Sequence, residues 1–356
     1  MIFLVSNPKY YTKKHIYTLF VFYFFADYID FTTMFKREKE LMLFGLNQNQ
    51  SSYEGVKLFL LVYLGASIFA AILTSPAFWL IQWIDSVNST ETTKWLLTKR
   101  IDIYYNRLCY LGTLILLPYM IKKCGLFSIS NLGLQINKYN LKEFGRFFLL
   151  GLAIATTIFL CQYFFCDLTV VEGLSVTRVL DIFLGAILCG IVVALLEEII
   201  MRGLIMRTIY TAWGVLPAVI LSSLFFAYKH FRAPKHLWNE LSKGLETPSW
   251  DMGFVVAWYD TIGIFSNCNI IHFLTLFVFG ATMCMLYIRT KTLWAPVAMH
   301  TALVFCIQAS RKIFVSLPCE NAKYFGHNGL VNGYFGLILL SIIFVAICFW
   351  KPKENK

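Results

Sequence analysis

Apolar residues along this chain gather in long blocks, separated by shorter stretches that hold most of the charges and prolines. The blocks cover residues 58–83, 108–121, 147–165, 179–207, 215–230, 270–288, 293–309 and 334–350. A helix needs about 20 residues to cross the ~30 Å hydrocarbon core of a bilayer, and several blocks reach that length. The period-two alternation of a transmembrane β-barrel is missing. The pattern therefore predicts an all-α fold, a polytopic membrane bundle of about eight transmembrane helices.

The ends and the longest connection read differently. Residues 16–25 form a short apolar stretch after Lys13 and Lys14, and a charged run at residues 36–40 follows with no small-residue cleavage site between. That predicts an interfacial aromatic helix rather than a cleaved signal or a full span. Residues 231–269 hold Pro234, Pro248, Trp238, Trp250 and Trp258 among charges of both signs. Leu237, Leu241 and Leu245 recur there at helical spacing, which predicts a short helix in the membrane interface, serving either as a lid or as a plain interfacial linker. Four regions result: an N-terminal interfacial and cytoplasmic segment (1–55), peripheral membrane helices (56–178), a core (179–309), and a C-terminal helix with a basic tail (310–356).

Composition agrees with the blocks. The 356 residues are 58% hydrophobic and 14% charged, against about a quarter charged in soluble domains. The net charge of +11 belongs to loops facing anionic lipid, with no compact basic patch to serve a nucleic acid. Most Lys and Arg fall on the side holding both termini, which predicts that both are cytoplasmic. None of the ten cysteines forms a CxxC pair, so neither a redox motif nor a metal site is indicated. Cys268 and Cys319, near span ends, leave a disulfide open.

Three places break the apolar pattern. Glu197 and Glu198 sit inside the fourth block, where a carboxylate costs roughly 2.5–3.5 kcal/mol even on the lenient insertion scale. Arg202 is one helical turn beyond Glu198 and can pair with it, which leaves Glu197 unexplained. His230 ends the next block, one turn after Phe226, an aromatic placed to back its imidazole. Glu197 and His230 are nearly equidistant along the chain from Trp213-Gly214. At ~1.5 Å per residue, antiparallel helices would put both roughly 25 Å from that turn. His300 lies within the seventh block, at a depth that lets it meet the carboxylates.

These residues resemble the motifs of the CPBP family, the glutamic intramembrane proteases that include the CAAX-processing endoprotease. Glu197-Glu198-Ile199-Ile200-Met201-Arg202 is similar to that family's E-E-x-x-x-R. Phe226-Ala227-Tyr228-Lys229-His230 is similar to its F-x-x-x-H. Phe279-Gly280-Ala281, followed by the stretch from Trp294 and Pro296 to His300, is similar to its third motif. The order is the family's, one motif per span, all within residues 179–304. One position departs: the family places Asn or Asp four residues after the histidine, and this chain has Val304.

The resemblance implies peptide-bond hydrolysis inside the membrane. Glu197 or Glu198 acts as general base on a water, with Glu197 favoured because Arg202 occupies Glu198. His230 orients the water or serves the leaving amine, His300 donates to the oxyanion, and Arg202 and Phe226 support the set. No cofactor is called for. The partners are the lipid bilayer and a membrane-embedded or lipid-anchored protein or peptide, in the cytoplasmic membrane of a bacterium, with no nucleic acid. Because the family's Asn or Asp is taken to help hold the oxyanion, Val304 removes a donor worth about 10²–10³ in rate. Gln308 and Ser223 are the nearby polar residues. The alternative is a catalytically impaired membrane scaffold. A zinc enzyme lacks an H-E-x-x-H motif, and a proton-coupled transporter lacks an inverted repeat.

Overall fold

The computed structural model describes residues 52–123, 129–166, 168–231, 247–317, 319–327, 329 and 331–350. The predicted N-terminal helix at 16–25 and the Leu237, Leu241 and Leu245 stretch lie outside these residues.

All eight apolar blocks are helical. In chain order the helices are α1 (Ser52–Val87), α2 (Glu91–Leu97), α3 (Ile101–Lys123), α4 (Lys138–Phe165) and α5 (Val176–Glu198). A π-helical stretch (Ile199–Met206) joins α5 to α6 (Arg207–Trp213). Then come α7 (Val215–Tyr228), α8 (Met252–Asn267), α9 (Ile270–Thr290), α10 (Trp294–Ile313), α11 (Ala322–Phe325) and α12 (Tyr334–Phe349). Among the described residues, four helices are long and apolar enough to cross a membrane, at Val56–Val87, Lys138–Phe165, Val176–Tyr210 and Ile270–Thr290, and shorter apolar helices accompany them. The chain is a multi-pass membrane protein with an all-α bundle.

Local chemistry sets several starts. Asn137 accepts the amide of Asn140 at the head of α4, Ser175 that of Arg178 at α5, and Asn269 those of Ile271 and His272 at α9. Each satisfies donors that the first turn leaves orphaned. Gly214, at φ 87°, divides α6 from α7, in a conformation that suits a residue without a Cβ.

Two features depart from the sequence reading. Helix α8 occupies ground expected to be connection; it lies against α1 so closely that a Cβ on Gly253 would collide with the Ala71 carbonyl oxygen. A short antiparallel pair, β1 (Leu168–Val170) with β2 (Phe314–Ser316), ties the exit of α4 to the exit of α10. Cys268 and Cys319 are both free thiols.

Helix α10 is the centre. It packs between α4 and α5, and glycines set both approaches. A Cβ on Gly151 of α4 would stand 2.8 Å from the Met299 carbonyl oxygen, and one on Gly190 of α5 would stand 2.9 Å from that of Thr301. Small residues let helix backbones close to this range in membranes, and these two grip α10 on either side of His300.

Candidate active site

Helix α5 ends at Glu198, and the next eight residues wind as a π-helix that holds Arg202. Such turns are rare and recur at functional sites. Here the stretch keeps the expected pairing: Arg202 Nη1 donates to Glu198 Oε1 at 2.9 Å, with side-chain exposures of 1% and 0%. Arg202 Nη2 donates to the Gly280 carbonyl of α9 at 3.0 Å, and its guanidinium lies over the Phe226 ring at 5.0 Å. A buried ion pair needs such additional partners to offset its desolvation.

His300 comes from α10, two turns past a fastened start. The Leu293 amide and the Thr292 hydroxyl both donate to the Gly133 carbonyl at 3.0 Å, and the Trp294 indole donates to that of Gln135. The His300 side chain is nearly buried and meets both carboxylates. Its Nδ1 lies 2.8 Å from Glu198 Oε1. A carboxylate only accepts, so the bond assigns the proton to Nδ1. Its Nε2 faces Glu197 Oε2 across 3.8 Å, too far for a hydrogen bond.

The two glutamates therefore differ in kind. Glu198 is fully buried, with Oε1 committed to Arg202 and His300 and Oε2 without a hydrogen-bond partner. Glu197 is 32% exposed along its side chain, while its Oε2 is shut from solvent without a hydrogen-bond partner.

His230 joins the group through an aromatic ring. Its imidazole packs on Phe226 with centroids 4.5 Å apart, and its Nδ1 bonds the Phe226 carbonyl at 2.8 Å. Phe226 also meets Phe279 and His300, and Phe279 stands 5.2 Å from His300. The six residues singled out from the sequence thus form one connected cluster, with His230 at its exposed edge. Val304 is half-buried one turn after His300. Ser223 Oγ lies against Cys284 Sγ at 4.0 Å.

Sequence reasoning missed two parts: the π-turn and the Gly280 carbonyl that receives Arg202. Only Gly280 carried a signal, as part of the third motif. Among the described residues, no group of three or more His, Cys, Asp or Glu could hold a metal ion.

Residues 179–306 match the family model described as type II CAAX prenyl endopeptidase Rce1-like. The match covers well under half of the chain and includes all three motifs. No curated protein and no solved structure matches.

Proposed function

We propose, taking the type II CAAX prenyl endopeptidase Rce1-like stretch at residues 179–306 as the premise, that this chain is a glutamic intramembrane endopeptidase. It hydrolyses a peptide bond of a membrane-associated protein or peptide with a glutamate-activated water. The observation that carries the reading is the 3.8 Å gap between Glu197 Oε2 and His300 Nε2. A water seated there touches one acceptor that lacks a partner and one imidazole held in place by Glu198.

Glu197 takes a proton from this water as its oxygen adds to the scissile carbonyl. With its Nδ1 proton committed to Glu198, a neutral His300 accepts from the water at Nε2 and orients it, rather than donating to the oxyanion as the sequence resemblance implies. His230, at the edge of the cluster, passes a proton to the leaving amine as the C–N bond breaks. Glu198 and Arg202 do no proton transfer and hold His300. The excess of Lys and Arg on the terminal side supports cytoplasmic termini, in a bacterial inner membrane.

A second reading has an observation of its own. Val304 offers no donor one turn after His300, which favours an impaired scaffold on the same fold.

Purified full-length protein incubated with a membrane-peptide library decides between them. Glu197→Gln should lower cleavage by about 10²–10⁴, Val304→Asn should raise it by up to about 10²–10³, and a chelator should change nothing. Cleavage indifferent to Glu197, Glu198, His230 and His300 sinks the protease reading in favour of the scaffold. Cleavage lost to chelation sinks the metal-free mechanism.

A further inference from the structure

The last turns of α7 divide their side chains between two directions. Phe226 and His230, four residues apart, join the central cluster. Phe225 and Lys229, also four apart, go to α1 and α8. Phe225 meets the rings of Phe59 and Tyr63 edge-on, with centroids 5.0 and 5.5 Å away. The Lys229 ammonium lies over the Tyr63 ring at 5.0 Å, donates to its hydroxyl at 3.5 Å, and stands 3.7 Å from Asp260 Oδ2 on α8. One residue earlier, the Tyr228 hydroxyl donates to the Thr261 carbonyl of α8 at 2.9 Å.

The two charges stand out against their helices. No residue of α7 itself is charged, Lys229 being its C-cap, and Asp260 is the one charged residue of α8. Their side chains are only 34% and 16% exposed. Apolar side chains could join α7 to α8 without that desolvation, and paired charges within membrane helices mark function. The proposed proton transfers use neither residue.

His230 supplies the reason for them. A carbonyl only accepts, so the His230 Nδ1–H donates to the Phe226 carbonyl, a bond within its own helix end. That bond fixes the imidazole on α7 and leaves its distance from the glutamates to whatever holds α7. Neighbouring residues on a helix point about 100° apart, so any rotation that shifts Lys229 swings His230 by the same angle. An ammonium held between a carboxylate and a ring resists that rotation; an apolar contact lets it slide.

We propose that Lys229 is a positioning residue: its ammonium, held by Asp260 and Tyr63, fixes the rotation of the α7 end and thereby the place of His230 beside the glutamates. The consequence for cleavage rests on the proposed role of His230, while the positioning rests on the geometry alone.

Two measurements on the full chain in detergent test it, one with turnover and one without. On a cleaved membrane peptide, Lys229→Met and Asp260→Asn should each lower kcat by about 10–10² with KM within about twofold, as expected when a reacting group is misplaced. The double variant should be no worse than either single one, because both remove one contact, and Lys229→Arg should recover most of the loss. Without substrate, the ring resonances of isotope-labelled histidine report the position directly, with His230 assigned through His230→Gln. Asp260→Asn leaves the ammonium in the chain, yet it should split or broaden the His230 signal while sparing that of His300. A melting curve verifies that each variant folds. Unchanged kcat, losses that multiply in the double variant, or equal disturbance of His230 and His300 overturns the role. If Asp260→Asn splits the His230 signal while cleavage ignores Glu197, the positioning stands and the protease reading falls. If cleavage needs Glu197 and ignores Lys229, the protease reading stands and the positioning falls.

Discussion

Two arginine–carboxylate pairs in this chain share the same 2.9 Å separation and differ in everything around it. Arg202–Glu198 sits in the centre with side-chain exposures of 1% and 0%; Arg100–Asp102 sits at the head of α3 with 32% and 10%. The peripheral pair is the better geometric match, since Arg100 donates through both Nε and Nη2 to the two oxygens of Asp102. Even so, its net worth is small, because water screens it and competes for both partners. The central pair has no water to fall back on. Distance does not rank these pairs; the alternative available to each partner does.

Removing one partner from each pair is the sharpest way to break this comparison. Glu198→Ala strands a buried guanidinium and also releases His300, and should cost about 3–5 kcal/mol of stability. Thermal unfolding in detergent measures it, and a cost under ~1 kcal/mol would show that water reaches the centre. Next in size, Gly151→Ala drives a Cβ to 2.8 Å from the Met299 backbone. That overpacking should cost about 1–3 kcal/mol and lower cleavage, because it displaces α10 beside His300. The smallest effect belongs to Arg100→Ala, at about 1 kcal/mol or less. Added salt should shrink it further, while leaving the Glu198→Ala cost unchanged.

How much of this could be read from the chain follows the range of each interaction. Glu198–Arg202 and Phe226–His230 were legible because both are single-turn contacts, fixed once a helix is assumed. The meeting of His300 with both glutamates was legible only as a match of depths. Which ring nitrogen meets which carboxylate depends on the rotation of α10 between Gly151 and Gly190, and no local pattern encodes that rotation. Helix α8 was missed for a different reason. Trp250, Trp258 and Asp260 made its sequence resemble an interfacial connection, while its partners are distant in the chain: Asp260 pairs with Lys229 at 3.7 Å, and Gly253 meets Ala71. The π-turn left no trace, because Ile199-Ile200-Met201 and Leu204-Ile205-Met206 are apolar under any helical period.

That π-turn has a consequence for how the protein can vary. It lies between the Glu198 end of α5 and the Arg207 end of α6, and it differs from an α-helix by where its surplus residue is housed. Loss of one residue from Ile199–Met201 would let the segment relax to an α-helix while the two flanks keep their phase, and would bring Arg202 from four residues after Glu198 to three, turning it by roughly 100° about the axis. Upstream, the glutamates would stay on α10; downstream, Arg207 would keep its bond to the Asn131 carbonyl. Truncations at the buried Leu204, Ile205 and Met206 cost packing, whereas a single-codon deletion ahead of Arg202 re-aims the guanidinium in one step and leaves all six site residues in the chain.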